Sequence, residues 1–233
     1  MRGGSPAMIP EALNLSGIDI WALVLLSGLW LGYFLIHSAL ASLAVKRRLV
    51  ARWPALAPPY RLLYNLLATL LLLPILWLMW HFPGPLLWQW RGIWGWLADG
   101  LALLAVAGFI WTLSYYRGMD FLGLGQWRRD EHGVIDTDDF CLSPLHRWVR
   151  HPWYALGLVL IWTRDMSASW LLSAVVISGY LVVGSWLEEI RLCRQFGERY
   201  QRYRQRVPGL IPRPWRHLSR AEAAALMGRE PPR

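Results

Sequence analysis

Long apolar runs alternate with short polar clusters along this chain: residues 20–45, 62–80, 93–114 and 170–187 are almost free of charge. Each approaches the ~20 residues with which a helix, rising ~1.5 Å per residue, crosses a ~30 Å hydrocarbon layer. A fifth apolar run, 153–162, would rise only ~15 Å and is too short to cross alone. Thr163, Arg164, Asp165 and Ser167 follow it as a polar turn, with Ser167 or Ser169 as N-cap of the next helix. The last two runs should therefore form an antiparallel hairpin. A tight turn near Asp165 would set Pro152 level with Tyr180, leaving Glu188 and Glu189 about eight residues, or ~12 Å, farther along.

The breaks between runs are as informative. Pro54, Pro58 and Pro59 precede the second run, Pro83, Gly84 and Pro85 end it, and Gly197 is a stop for the last, which should continue as an amphipathic helix through Phe196. Residues 116–150 form a polar stretch far longer than the ~2–8 residues of a plain helix connection, expected as an ordered loop over one face. The pattern predicts an all-α integral membrane protein. It should have about five transmembrane or membrane-embedded helices, the last two a helical hairpin, with a cytoplasmic amphipathic C-terminal helix. Its parts are a flexible 1–19, a helical core over 20–190, a tail over 191–216 and a flexible end over 217–233.

Composition sharpens this. Hydrophobic residues make up 55% of the 233 and charged residues only 17%, against roughly a quarter in soluble domains. The 17 Trp cluster near the ends of the runs, where an amphipathic ring prefers the headgroup region. The net charge of +9 is gathered in two places: Lys46, Arg47, Arg48, Arg52 and Arg61, and the arginines from Arg191 to Arg216. The positive-inside bias then puts the N-terminus outside and the C-terminal tail in the cytoplasm. These cations suit anionic membrane lipids rather than nucleic acid. Cys141 and Cys193 fall on the same side, where a disulfide would not persist.

Two clusters carry candidate chemistry. Arg147, Arg150, His151, Pro152 and Tyr154 stand at the mouth of the short run. Pro152 suits a first helical turn, so the residues before it would lie at a helix N-terminus suited to a carboxylate or phosphate. Glu188 and Glu189 stand where the last run leaves the membrane, favouring a cationic or hydroxyl-rich ligand. A ligand spanning both would be anionic at one end and cationic or hydroxylated elsewhere, as S-adenosylmethionine or a zwitterionic headgroup is. No Rossmann fingerprint is present, since Gly123-Leu124-Gly125 lacks both a third glycine and a preceding strand. No His pair has the helix-borne metal spacing, so no metal is expected.

The series Arg150-His151-Pro152-Trp153-Tyr154, Glu188-Glu189, Leu192, Phe196-Gly197, Tyr200, Tyr203, Val207-Pro208 and Pro212 resembles the C-terminal half of the isoprenylcysteine carboxyl methyltransferases and phospholipid methyltransferases. His37-Ser38, Lys46-Arg47 and Tyr60-Arg61 to Tyr64-Asn65 are similar to the NnrU-type and methanethiol S-methyltransferase branch. The resemblance implies a membrane methyltransferase, in a bacterial inner membrane, with S-adenosyl-L-methionine as cofactor. It implies that His151, Tyr154, Glu188 and Glu189 hold the cofactor; Arg147 or Arg150 would take its carboxylate beside Pro152, Tyr200 and Tyr203 would close over it, and His151 and Arg150 are the catalytic candidates. His37, Tyr60, Arg61, Tyr64 and Asn65 would line the acceptor side. Where these families commonly carry glycine two residues after the Tyr, this chain has Leu156. The acceptor is a small thiol, an isoprenylcysteine carboxylate or a phospholipid amine, with the N-terminal resemblance favouring the thiol. The alternative is a non-catalytic NnrU-type protein with a redox-linked or transport-associated role, using His37 and His151 as ligands or proton carriers.

Overall fold

The computed structural model describes residues 19–113, 115 and 140–228. The loop expected over one face lies outside the described residues between 116 and 139, as does the N-terminal segment through residue 18. Eight α-helices are described: α1 (Ile20–Ala41), α2 (Leu43–Arg52), α3 (Tyr60–His81), α4 (Ile93–Leu113), α5 (Pro152–Trp162), α6 (Ala168–Phe196), α7 (Glu198–Arg206) and α8 (Arg220–Leu226). Helices α1, α3, α4 and α6 are long and apolar enough to cross a membrane, and α5 is a shorter apolar helix. Their outer faces present Leu103, Leu104, Ile110 and Trp96 almost bare. Apolar exposure on that scale would be untenable in water. This is an all-α integral membrane protein.

Local chemistry sets the boundaries. Ser42 ends the first apolar run and caps α2, its hydroxyl accepting from the Val45 amide at 3.3 Å; this converts a spanning helix into a short basic one carrying Lys46, Arg47, Arg48 and Arg52. Helix α3 runs antiparallel to α1. Their interface, closed by α6, is built on Leu26, Trp30, Ile75 and Leu78, and the Trp30 indole donates to Ser173 Oγ at 2.9 Å.

After α3, Leu86–Trp88 (β1) pairs antiparallel with Met166–Ser167 (β2), a small ribbon that the apolar pattern did not announce. It does two things. It places the α3–α4 connection and the α5–α6 connection on one face of the bundle, so α5 and the extended residues after it together traverse the molecule. It also satisfies the start of α6, because the Ala168 and Ser169 amides donate to the carbonyls of Pro85 and Pro83, both at 3.0 Å. Gly84 sits there at φ +71°, and a Cβ on it would come 2.9 Å from that of Ala168, so only glycine fits this approach.

The hairpin register differs from the expectation. Trp162, the last residue of α5, donates through its indole to Ser178 Oγ at 3.0 Å, and His151 meets Glu188 and Glu189. Pro152 is thus level with the glutamates and not with Tyr180. The chain does not turn straight back at Asp165. Burial of Met166 and the β1–β2 pairing carry it outward, so α6 starts roughly three turns beyond the end of α5.

Beyond the membrane, α6 continues to Phe196, Gly197 at φ +56° breaks it, and α7 folds back. Tyr200, Tyr203, Val207, Leu218 and Ala223 form a second core, with Phe140, Leu142, Leu192 and Phe196 packed on it. The end expected to be flexible from residue 217 is instead docked through Gly228. Ser219 and Glu222 form a capping box for α8, and Leu218 and Ala223 are sealed under it. Polar composition concealed that helix, because its buried face is only Ala223, Ala224 and Leu226.

Candidate functional site

Helix α5 begins where sequence placed it, with Pro152 at its first position. The residues before it are held by the strap that follows α7: the Arg150 amide donates to the Pro208 carbonyl at 2.8 Å and the His151 amide to Gly209 at 3.1 Å. Those two N–H groups are therefore occupied by peptide carbonyls and are not free for an anion. The motif pair Arg150-His151-Pro152 and Val207-Pro208 is one structural unit.

His151 is buried between the two acids, Nδ1 lying 3.3 Å from Glu188 and Nε2 3.2 Å from Glu189. Glu189 is buried as well. Its Oε1 accepts from Arg150 Nε at 2.9 Å and from the same guanidinium's terminal nitrogen at 2.5 Å. Its Oε2 lies 3.1 Å from Arg204 Nε. The remaining terminal nitrogen of Arg150 donates to the carbonyls of Arg204 and Val207. Arg150, expected to hold a ligand carboxylate, is thus spent on the protein itself, and Arg147 Nε donates to the Leu218 carbonyl at 2.9 Å. Together they lock α5, α6, α7 and the strap around Glu189. Breaking one member would strand a buried charge.

The groups that the lock leaves over are the candidates for meeting a ligand. The Glu188 side chain retains 35% exposure, beside the Tyr154 phenol and Arg191. Tyr154 stacks on His151 with ring centroids 5.5 Å apart. Tyr203 is anchored, its hydroxyl donating to the His146 carbonyl at 2.7 Å. The Tyr200 hydroxyl, by contrast, is buried and has no hydrogen-bond partner among the described residues. Burial, and then the negative charge of Glu189, push that phenol above its ordinary range, so it remains a neutral donor at physiological pH. A buried hydroxyl without a partner beside an ion cluster is a candidate position for a ligand atom or an ordered water. His146 is bonded to the Ser143 hydroxyl at 2.7 Å; burial first, and then the neighbouring His151, lower it to about 4.

A second group lies deeper in the bundle, where α1, α3 and α6 meet. The Tyr64 hydroxyl is 2.8 Å from His37 Nε2 and 3.2 Å from Nδ1. Tyr33 stacks on His37 at 5.5 Å, and Phe34 stacks on Tyr180 at 3.9 Å. Tyr180 joins its hydroxyl to Ser38 Oγ at 3.0 Å, and the Tyr60 hydroxyl donates to the Leu40 carbonyl at 2.7 Å. Arg61 stands near Tyr64, and Asn65 follows on the same helix, its carbonyl accepting from the Thr69 hydroxyl at 2.9 Å. Tyr180, whose ring centroid lies 6.3 Å from that of His37, stands about two turns before Glu188 along α6.

A methanethiol S-methyltransferase of Bradyrhizobium diazoefficiens is 33% identical over 213 residues, covering 88% of this chain and 80% of that one. Methanethiol S-methyltransferases of a Pseudomonas species and of Mycobacterium tuberculosis are 30% and 32% identical, covering 88% and 80% of this chain and 80% and 77% of their own lengths. The chain belongs to the methanethiol S-methyltransferase family. It is a membrane methyltransferase, and the non-catalytic alternative is not favoured. No family model and no solved structure matches it.

Within this methyltransferase, Leu156 has a plain location. A Cβ on Gly108 would come 3.1 Å from its side chain, and the neighbouring Trp153 indole donates to Thr112 Oγ1 at 3.0 Å. Residues 153 and 156 thus face α4, away from Glu188 and Glu189 on α6, so the leucine fills the α4–α5 interface and not the ion cluster. Sequence reading missed Arg204 as a partner of Glu189, Tyr180 as a member of the aromatic group, and the Pro208 and Gly209 carbonyls. Only the last had a visible trace, in the Val207-Pro208 element of the motif series.

Proposed function

We propose that this methyltransferase takes its methyl group from S-adenosyl-L-methionine on the cytoplasmic side and delivers it to a small thiol, methanethiol being the acceptor named for its relatives. The N-terminus is then outside and the tail inside, as the arginine distribution requires. The observation that carries the reading is the division of labour around His151. Arg150 and Arg204 share the single carboxylate of Glu189, while Glu188 and the Tyr200 hydroxyl remain beside them with capacity to spare.

That donor set fits the methyl donor. The partly exposed Glu188 suits an ammonium or ribose hydroxyls, and Tyr200 has an unused O–H. Arg204, with a half-exposed side chain, and Arg191 are better placed for a carboxylate than Arg147 or Arg150. Once bound, S-adenosylmethionine supplies an electrophilic methyl carbon on its sulfonium. His151, clamped by both acids, and Tyr154, stacked on it, form a fixed wall that orients the bound group. Helix α7 and the strap exclude water above it. The rings of Tyr33, Phe34, Tyr64 and Tyr180 offer an apolar lining to which a small sulfur compound is attracted.

A direct test incubates purified protein with methyl-labelled S-adenosylmethionine and, separately, methanethiol, an isoprenylcysteine analogue and a phosphatidylethanolamine. Labelled dimethyl sulfide is the expected product. Calorimetry in detergent should register donor binding. Absence of binding up to millimolar donor, or transfer confined to the phospholipid amine, would reject the reading.

A further inference from the structure

The strap after α7 is a loop pinned at both ends to the residues before α5. At its start the Pro208 and Gly209 carbonyls accept from the Arg150 and His151 amides, and at its end the Leu218 amide donates to the Arg147 carbonyl at 3.0 Å. Its apolar residues divide into two sets. Val207 and Leu218 are buried in the second core, whereas Ile211 and Trp215 are 74% and 79% exposed, as bare as Leu103 on the spanning helix α4 at 71%. Trp215 stands in the tight turn closed by Arg213 and Arg216, where the Arg216 amide donates to the Arg213 carbonyl at 2.9 Å. A pinned loop that holds a tryptophan and an isoleucine outward gains nothing for its own core; such surface is stabilising only where something else removes it from water.

We infer that the strap is a membrane-interface anchor: Trp215 and Ile211 seat among the headgroups and upper acyl chains, and Arg213 and Arg216 meet the phosphates of anionic lipids. The partner of this surface is the bilayer that surrounds the protein itself. The consequence is mechanical, since the loop whose base holds the amides of Arg150 and His151 is held in its turn by the bilayer surface.

Position, charge and side-chain type point to the same partner. The pins lie where the hydrocarbon ends: His151 meets Glu188, the first charged residue after the apolar run of α6, and Trp153, two residues on, meets Thr112 near the end of α4. Residues 210–217 double back on themselves, so at ~3.3 Å per residue the tip stays within about 13 Å of that level. The headgroup layer begins there and is roughly 5–8 Å thick on each side of the core. Residues 205–220 include Arg206, Arg213, Arg216 and Arg220 and no acid. Arg206 pairs with Glu222. Arg213 and Arg216 have no carboxylate partner among the described residues, Arg216 donating to the Gln205 carbonyl, so their charge is uncompensated within the chain. A tryptophan between two such arginines suits the layer where apolar tails meet anionic headgroups. A second copy suits it less, because a two-fold contact would set these arginines against themselves. Pro212 and Pro214 restrict the backbone on either side of Arg213, so little ordering is left to be done on insertion.

The experiment places the full chain in lipid nanodiscs of phosphatidylcholine, with or without phosphatidylglycerol. Trp215→Cys, made in a Cys141→Ser, Cys193→Ser background, carries a fluorescent label. In the anionic discs the label should be quenched strongly by lipids bearing a nitroxide near the headgroup, less by lipids bearing it deep in the chain, and weakly by iodide in the water. The second measurement needs no label. Wild type should melt at a higher temperature in anionic than in neutral discs, and Arg213→Gln with Arg216→Gln should lose roughly 2–4 °C or more of that gain. The difference between the two proteins should shrink as salt is raised. Quenching by iodide but not by either lipid, or an equal gain in wild type and the double variant, would overturn the anchor. Disulfide-linked dimers of the unlabelled Trp215→Cys protein, together with loss of lipid quenching, would overturn it in favour of contact between copies. Neither readout depends on methyl transfer, so failure of the small-thiol reading would leave both unchanged.

Discussion

The ion cluster at the mouth of α5 and the aromatic group between α1, α3 and α6 hold histidines in opposite ways. His151 is fixed between two acids, one of which, Glu189, is gripped in turn by Arg150 and Arg204. His37 is fixed by ring packing and a single hydroxyl. The first arrangement is strong and brittle, because each charge depends on its partners for compensation. The second is weaker per contact but loses little when one group is removed. Under the proposed function, the charged, water-soluble donor would be met by ions at the membrane edge and the small apolar acceptor by rings within it.

The sharpest way to break this comparison is Glu189→Gln. It leaves Arg150 and Arg204 without their shared carboxylate, at an expected cost of about 3–5 kcal/mol. Its melting temperature in detergent should fall by several degrees and methyl transfer should vanish. A variant melting with wild type would show that the cluster is not a lock.

A smaller stability effect belongs to His146. Its folded value of about 4 lies below the ordinary 6.5, so the unfolded chain binds more protons between those limits. The stability tied to keeping it neutral is therefore whole above about 6.5 and is lost as the pH falls toward about 4. Wild type should lose more melting temperature between neutral and mildly acidic buffer than His146→Asn, whose side-chain oxygen can replace the ring nitrogen toward Ser143.

Glu188→Gln separates the two acids. Because Glu188 is the partly exposed one, the substitution should leave melting within about 1 kcal/mol of wild type. Donor affinity should weaken by roughly tenfold, or ~1.4 kcal/mol, as read by calorimetry. Equal destabilisation by both Gln variants would erase the distinction between lock and ligand-facing acid.

The least effect is expected in the aromatic group. Tyr180→Phe removes the bond to Ser38 and keeps the stack on Phe34, costing about 1 kcal/mol. A thermal melt much lower than that implies would mean that this group, too, is a polar lock.

Much was legible from the chain alone. Runs free of charge set α1, α3, α4 and α6, because a helix in hydrocarbon must satisfy its own backbone and cannot tolerate unpaired charge. Pro152, Ser167 and Gly197 fixed helix ends by their own backbone chemistry. The spacing of Arg150-His151-Pro152, Glu188-Glu189 and Val207-Pro208 marked the parts of one site. The docked α8 was not legible, since alanines bury as easily as they face water. Nor was the α5–α6 register: it is set by pairing of Met166–Ser167 with Leu86–Trp88, a contact between segments far apart in sequence. Tertiary structure alone decided that Arg150 serves Glu189 instead of a ligand, and that Tyr64 meets His37. Such assignments depend on which groups lie within about 3 Å of one another, and local sequence does not encode that distance when the partners sit on different helices.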